Sequence, residues 1–227
     1  MISAIIPAFN EESTIAEVVT SVIGHPDVNE VIVVNDGSTD TTEARAREAG
    51  AKVITLTKNK GKGESMEVGV RSAKNDIILF MDADVTGFTH EKISRIINPV
   101  INGRYKMFVG VRARSIIFFN RYFRLFPILS GERALVKSLW YEVPLNDKRG
   151  FKIEIALNYA SKQTDLGMGF TLIGGIKHLI KEKKYKFFDG FSRRIYMIFD
   201  VLSISIKLYV IKPFLKKVDR VLRTLNA

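Results

Sequence analysis

An α/β fold, with a mostly parallel sheet covered by helices, is predicted by two features of this 227-residue chain. Short apolar runs alternate with segments of helical periodicity through the first hundred residues, the pattern of repeated βαβ units. Within that pattern, Ile77-Ile78-Leu79-Phe80-Met81 runs straight into Asp82-Ala83-Asp84. A buried strand that releases polar groups at its C-terminal end does so where an open α/β sheet binds ligands. The length suits one domain, or one domain with an appendage.

Each element follows in order. Residues 2–6 read as an apolar strand ended by Pro7, which fixes φ and lacks a backbone donor. Ile15, Val18, Val19, Val22 and Ile23 recur at helical spacing, with Gly24 as the stop. Glu30 to Val34 is a second strand, broken by the turn-forming run Asn35-Asp36-Gly37-Ser38-Thr39-Asp40. A helix over 41–49 and a strand over 52–56 come next. Asn59-Lys60-Gly61-Lys62-Gly63 opens a helix through Ala73. The strand from Ile77 is expected to reach Asp84, so that Asp82 and Asp84 share one side. Beyond it, the spacing predicts a helix over 89–102, a strand over 105–111, a helix beginning at Ser130-Gly131-Glu132-Arg133, and a helix over 150–161. Ile116 to Leu129 is apolar and aromatic but interrupted by Asn120, Arg121 and Arg124.

The net charge of +11 is unevenly spread. Residues 1–100 carry 10 Lys and Arg against 15 Asp and Glu, whereas residues 101–227 carry 25 against 9. A basic second half points to an anionic partner: a phosphorylated substrate, anionic lipid or nucleic acid. With no cysteine there is no disulfide framework and no thiolate metal site, which is compatible with the cytosol. No basic leader with an apolar core precedes Ala4-Ile5-Ile6-Pro7, so no signal peptide is expected. Two carboxylates at a strand end suit Mg²⁺ or Mn²⁺, which keeps some water and takes further oxygens from a substrate diphosphate.

Four segments in order, Pro7-Ala8-Phe9-Asn10-Glu11-Glu12, Val33-Val34-Asn35-Asp36-Gly37-Ser38-Thr39-Asp40, Gly61-Lys62-Gly63 and Asp82-Ala83-Asp84, resemble the signatures of family 2 glycosyltransferases. The resemblance is close over residues 1–115. It implies the nucleotide-diphospho-sugar transferase fold called GT-A, and a donor that is a UDP- or GDP-sugar. It places Pro7, Ala8, Asn10, Glu11, Asp36 and Ser38 at the nucleotide, with Asp36 at the base and Lys62 at a phosphate. Asp82, Ala83 and Asp84 take the metal and donor, the two aspartates serving as metal ligands. Ser130-Gly131-Glu132-Arg133-Ala134-Leu135 and Gly150-Phe151-Lys152-Ile153-Glu154-Ile155 resemble acceptor-side segments of dolichyl-phosphate mannose synthase-like and glucosyl-3-phosphoglycerate synthase-like enzymes. Glu154 and Glu132 are thereby candidate bases, with Asp84 the third catalytic candidate. Gly131 and Arg133 are candidate acceptor contacts, Arg133 for a phosphate. Relatives often carry a further strand and a metal-binding His after the segment matching 150–161. Here the chain looks shortened at that point, and His178 sits in what reads as a basic amphipathic helix.

These readings divide the chain into a GT-A domain over 1–165 (donor side 1–115, acceptor side 116–165) and a basic, amphipathic, helical C-terminal region over 166–227. Ile195 to Ile211 is apolar but contains Asp200 and Lys207, and basic residues flank it. Such a segment is expected to lie in an anionic membrane interface rather than to span it. The leading expectation is a metal-dependent transfer to a membrane polyprenyl phosphate by a cytoplasmic protein peripheral to the inner face of the cell membrane. It needs no nucleic acid and leaves room for a homodimer. One alternative is transfer to a small phosphorylated acid such as 3-phosphoglycerate. The other is a non-catalytic, basic membrane- or nucleic-acid-binding protein on a GT-A-like fold.

Overall fold

A computed structural model of the chain describes residues 1–112, 130–150, 152–178, 199–215 and 217. Nine strands are described: β1 (Ile2–Ala8), β2 (Val28–Asn35), β3 (Lys52–Thr55), β4 (Ile77–Phe80), β5 (Val85–Thr86), β6 (Met107–Arg112), β7 (Arg133–Val136), β8 (Met168–Ile173) and β9 (Lys177–His178). The described helices are α1 (Ile15–Val22), α2 (Thr42–Glu48), α3 (Lys62–Ser72), α4 (His90–Ile101), α5 (Lys137–Glu142), α6 (Lys152–Lys162) and α7 (199–215, with a π-helical turn at Lys207–Ile211). Seven strands form one sheet in the order β3-β2-β1-β4-β7-β6-β8. Only β7 runs against its neighbours; the other pairs are parallel. The α/β class and the GT-A-like, mostly parallel sheet expected from the sequence are therefore present.

Burial explains the apolar runs. Ile5, Ile32, Val34, Ile78 and Phe80 pack on one face of the sheet, with Met66 and Val70 of α3, Trp140 of α5 and Ile153 and Leu157 of α6. Ile2, Ile6, Val33 and Leu79 pack on the other, with Val18 and Val22 of α1 and Ile93 and Ile97 of α4. A sheet covered on both faces needs strands that are apolar throughout, as these are.

Four expectations change. The strand from Ile77 stops at Phe80, so Asp82 and Asp84 lie in the turn that follows rather than in extended chain. Arg133–Val136 is not the start of a helix but the antiparallel strand β7, pairing Phe80 with Arg133 and Val109 with Arg133 on its two sides. Its apolar run is too short to distinguish strand from helix by period alone. The chain is not shortened after Ser161: β8 extends the main sheet beside β6 beyond residue 165, and β9 pairs with β5. Lys177–His178 is thus strand rather than helix. The segment Ile116–Leu129, Phe151 and most of the basic stretch before α7 lie outside the described residues.

One buried carboxylate ties α3 to the acceptor half. Glu67 accepts from Trp140 Nε1 at 2.6 Å, Lys148 Nζ at 2.8 Å and Arg71 Nε at 2.7 Å. Burial would raise its pKa, but Lys148, Arg71 and Trp140 outweigh that and hold it below the usual range. Close by, a Cβ on Gly63 would fall 1.7 Å from the Lys148 carbonyl oxygen, so only glycine lets α3 approach this closely. Removing one partner of a buried pair leaves an uncompensated charge, here that of Lys148. Glu67→Ala should therefore lower stability by about 3–5 kcal/mol, read as a shifted urea midpoint. An unchanged midpoint would show that Lys148 finds other compensation.

Candidate active site

The C-terminal ends of β1, β2 and β4 meet the N-terminus of α3 and the first turn of α6 around a cavity of about 500 Å³. Pro7, Ala8, Phe9 and Glu11 line one wall, Asp36, Asn59, Gly61, Lys62 and Ser65 another. Asp82, Ala83, Asp84, Arg112, Ser130, Gly131 and Glu154 complete it. Residues up to 147 positions apart in the chain are gathered at the sheet edge where α/β proteins bind ligands.

At the centre, the Lys62 ammonium donates to Asp82 Oδ1 at 2.8 Å and to Glu154 Oε1 at 3.1 Å. Burial disfavours the charge on Lys62, but Asp82 and then Glu154 outweigh it and raise its pKa. Burial likewise works against the Asp82 carboxylate, and Lys62 outweighs it, holding that pKa below the ordinary value. The two shifts agree that this is an ionised pair. The side chains of Lys62 and Asp82 keep 28% and 21% exposure, so a ligand can reach them. Glu154, at 8%, is more enclosed.

The donor-side loops are fixed by their own polar groups. Asp36 accepts the Lys60 N–H and the Gly61 N–H, both at 2.8 Å, one on each carboxylate oxygen. It therefore clamps the loop that presents Lys62. Gly37 packs under that loop at φ +72, where a Cβ would meet the Lys58 backbone at 2.8 Å. Asn10, at φ 55, accepts the Thr39 N–H at 2.9 Å, and its own N–H donates to Ser38 Oγ at 2.9 Å. Asn10 and Ser38 thus join the first and second loops but do not line the cavity, while Pro7, Ala8, Glu11, Asp36, Lys62, Asp82, Ala83 and Asp84 do.

On the acceptor side, Gly131 lines the cavity and Arg133 does not. Arg133 is fully buried and donates to the Ser130 carbonyl, the Glu154 carbonyl at 3.3 Å and Asn158 Oδ1 at 3.3 Å. It braces the first turn of α6 and is out of reach of an acceptor phosphate. Glu132 is also fully buried and absent from the cavity wall. Arg112, at the end of β6, was not singled out in the sequence, yet it lines the cavity. A lone arginine after an apolar run gives no local signal of this.

The donor set fits a hard divalent ion. Among the described residues, five carboxylates line the cavity (Glu11, Asp36, Asp82, Asp84, Glu154) against two cations, Lys62 and Arg112, a formal balance of −3. A nucleotide diphosphate entering such a cavity needs added positive charge. A Cβ at Gly131 would lie 2.1–2.2 Å from the Asp82 carboxylate, so the glycine leaves that carboxylate its space. Among the described residues no group of three His, Cys, Asp or Glu gathers as a metal cage. Two aspartates with the remaining positions left to water and phosphate is the coordination Mg²⁺ and Mn²⁺ accept. His25 and His90 form a separate pair, rings 5.2 Å apart, with His25 Nε2 2.9 Å from Ser94 Oγ. The backbone of His178 pairs opposite Val85, the residue after Asp84.

A family model described as Glycosyl transferase family 2 matches residues 3–160. Glucosyl-3-phosphoglycerate synthase of Mycobacterium tuberculosis (strain H37Rv) is 34% identical over 111 residues, 45% of this chain and 34% of that protein. The 4,4'-diaponeurosporenoate glycosyltransferase of Staphylococcus aureus (strain NCTC 8325) is 38% identical over 102 residues, 43% of this chain and 27% of that one. The chain thus spans about a third of the length of the curated relatives it matches. The crystal structure of the M. tuberculosis synthase with Mn²⁺, UDP-glucose and phosphoglyceric acid superposes with a TM-score of 0.73 at 26% identity, covering 90% of this chain and 79% of that one. Its complex with Mg²⁺ and UDP superposes with a TM-score of 0.72 at 25% identity, with the same coverage.

Glu132 has a stability consequence. Ser130 Oγ lies 2.6 Å from both the Gly110 carbonyl and Glu132 Oε2. One hydroxyl proton cannot serve two acceptors, so a protonated Glu132 satisfies the second contact. Burial first, and Asp82 second, push its pKa up to about 7. A carboxyl raised in the folded state binds more protons there than in the unfolded chain between its ordinary value and about 7. Its contribution to stability is full at low pH and is lost as pH rises through about 7. The melting temperature in EDTA should fall from pH 6 to 8.5, and Glu132→Gln should flatten that fall. Parallel profiles for the two proteins would contradict it.

Proposed function

The chain belongs to glycosyl transferase family 2, and we propose that it moves a glucosyl group from UDP-glucose to a hydroxyl of a small phosphorylated acid of the 3-phosphoglycerate kind, with Mg²⁺ or Mn²⁺ held at Asp82 and Asp84. The observation that carries this reading is one cavity in which Lys62 bridges Asp82 and Glu154 beside Asp84, Pro7 and Asp36. The M. tuberculosis synthase and its complex with UDP-glucose and phosphoglyceric acid support the donor and acceptor. This reverses the order of acceptors expected from the sequence, where polyprenyl phosphate came first.

The nucleoside lies along Pro7–Glu11. Each oxygen of Asp36 already holds one amide and has a second lone pair for a uracil N–H. Lys62 turns to the diphosphate. When bound, the divalent ion neutralises the diphosphate and eases its departure. As the C1–O bond to UDP breaks and a C1–O bond to the acceptor forms, Glu154 takes the acceptor hydroxyl proton. Arg112 offers the acceptor's phosphate or carboxylate a charged partner.

A second reading, supported by the other relative and by α7, keeps a lipid acceptor. The α7 residues Phe199, Leu202, Ile206, Val210 and Phe214 form an exposed stripe, while Val201, Ile204 and Leu208 pack on the core. Asp200 and Lys207 do not reach outward alone; they pair with Lys152 at 3.2 Å and Asp147 at 2.6 Å. Among the described residues no helix is long and apolar enough to cross a membrane. Peripheral binding is the form this reading takes.

Two measurements decide between and test these readings. Glu154→Gln should lower transfer from UDP-glucose to 3-phosphoglycerate by about 10²-fold or more, with UDP affinity within a few-fold, and Asp84→Ala should abolish transfer in a folded protein. Wild-type rates in either variant would contradict the assigned roles. Sedimentation with anionic vesicles at low salt, joined to transfer to a polyprenyl phosphate and none to 3-phosphoglycerate, would establish the second reading instead.

A further inference from the structure

We propose that Lys62 is a resident counter-cation that competes with the divalent metal for Asp82, so that metal and nucleotide bind cooperatively. The inference rests on the donor-site reading above. Its observations are the two contacts of one ammonium, 2.8 Å to Asp82 and 3.1 Å to Glu154, in a cavity whose described lining residues carry an excess of three negative charges.

Three constraints make the arrangement more than a surface ion pair. Asp82 is closed in on the other side by Gly131, where even a methyl group would overlap its carboxylate. Lys62 begins α3, whose approach is fixed by Gly63 against the Lys148 carbonyl and by the Glu67 cluster, so the ammonium is delivered from a rigid element. The loop before it is clamped by Asp36. Asp82 is therefore held where the Lys62 ammonium reaches both it and Glu154 and offsets their charges. Lys62 fills that need with a flexible four-carbon stem and 28% exposure, so it can turn toward an incoming phosphate without moving α3.

The consequence is a coupling. A divalent ion approaching Asp82 meets a carboxylate already neutralised by Lys62 and pays the repulsion between the two cations. A diphosphate draws the ammonium away, leaving Asp82 to the ion and Glu154 to the acceptor. The nucleotide thereby raises metal affinity, and by linkage the metal raises nucleotide affinity by the same factor. The cavity is disposed to take the two together rather than to hold a metal in the absence of nucleotide.

The test is Mn²⁺ binding followed by electron paramagnetic resonance, with and without UDP, on the full chain. The wild type should bind Mn²⁺ weakly alone and about tenfold or more tightly with UDP. Lys62→Met should bind Mn²⁺ alone about tenfold more tightly than wild type and lose most of the gain from UDP. Lys62→Arg, which keeps the charge, should resemble wild type without UDP. If Lys62→Met does not fold, Lys62→Gln removes the charge and keeps a hydrogen-bond donor, and the same gain is expected of it. Unchanged or weaker Mn²⁺ binding by the charge-removing variants, with wild type still binding Mn²⁺ and UDP together, overturns this inference alone. A wild type that binds no Mn²⁺ even with UDP overturns the donor-site reading and this inference with it.

Discussion

Two carboxylates held at fixed positions with one ammonium between them set the terms for the rest of this structure. Asp82 leaves β4 and Glu154 opens α6, so their approach is decided by how the acceptor half packs on the donor half. That packing is done by buried polar groups as much as by apolar ones. Arg133 fastens the Glu154 turn from below, and Glu67 fastens α3 to Trp140 and Lys148. Such buried charges add little net stability when paired but are costly to break. They specify geometry, which is what the centre of the cavity requires.

The cavity's electrostatics follow from the same constraint. An acidic hollow at the ends of β1, β2 and β4 repels a diphosphate unless cations accompany it. Lys62 is one; the divalent ion proposed at the aspartates would be the second. The basic second half of the chain contributes Arg112 to the wall.

Much of this was legible in the residues. The alternation of apolar runs with helical spacing located β1 to β4 and α1 to α4 within a few residues, because strands covered on both faces have no other way to read. The motifs around Pro7, Asp36, Lys62 and Asp82 converge on one cavity, as their order suggested. What could not be read was non-local. Arg133 looked like a phosphate contact because arginine at a short motif carries no sign of burial, and its partners, Ser130, Glu154 and Asn158, come together only in the fold. The strand β7 was hidden because its neighbours β4 and β6 supply its pairing from elsewhere in the chain. The same holds for β8 and β9, whose partners β6 and β5 lie far back in the chain and which place the His178 backbone opposite the residue after Asp84. The separate roles of Asn10 and Ser38 as loop ties, rather than cavity residues, depend on hydrogen bonds across 28 positions.

A crystal structure of the chain with UDP and Mn²⁺ tests the placement of Lys62 between Asp82 and Glu154 most directly. Uridine should lie along Pro7–Glu11 and Asp36, the ion on Asp82 and Asp84, and the Lys62 ammonium should have moved from Asp82 to a diphosphate oxygen. UDP bound outside this cavity, or bound within it while Lys62 remains 2.8 Å from Asp82, would contradict it.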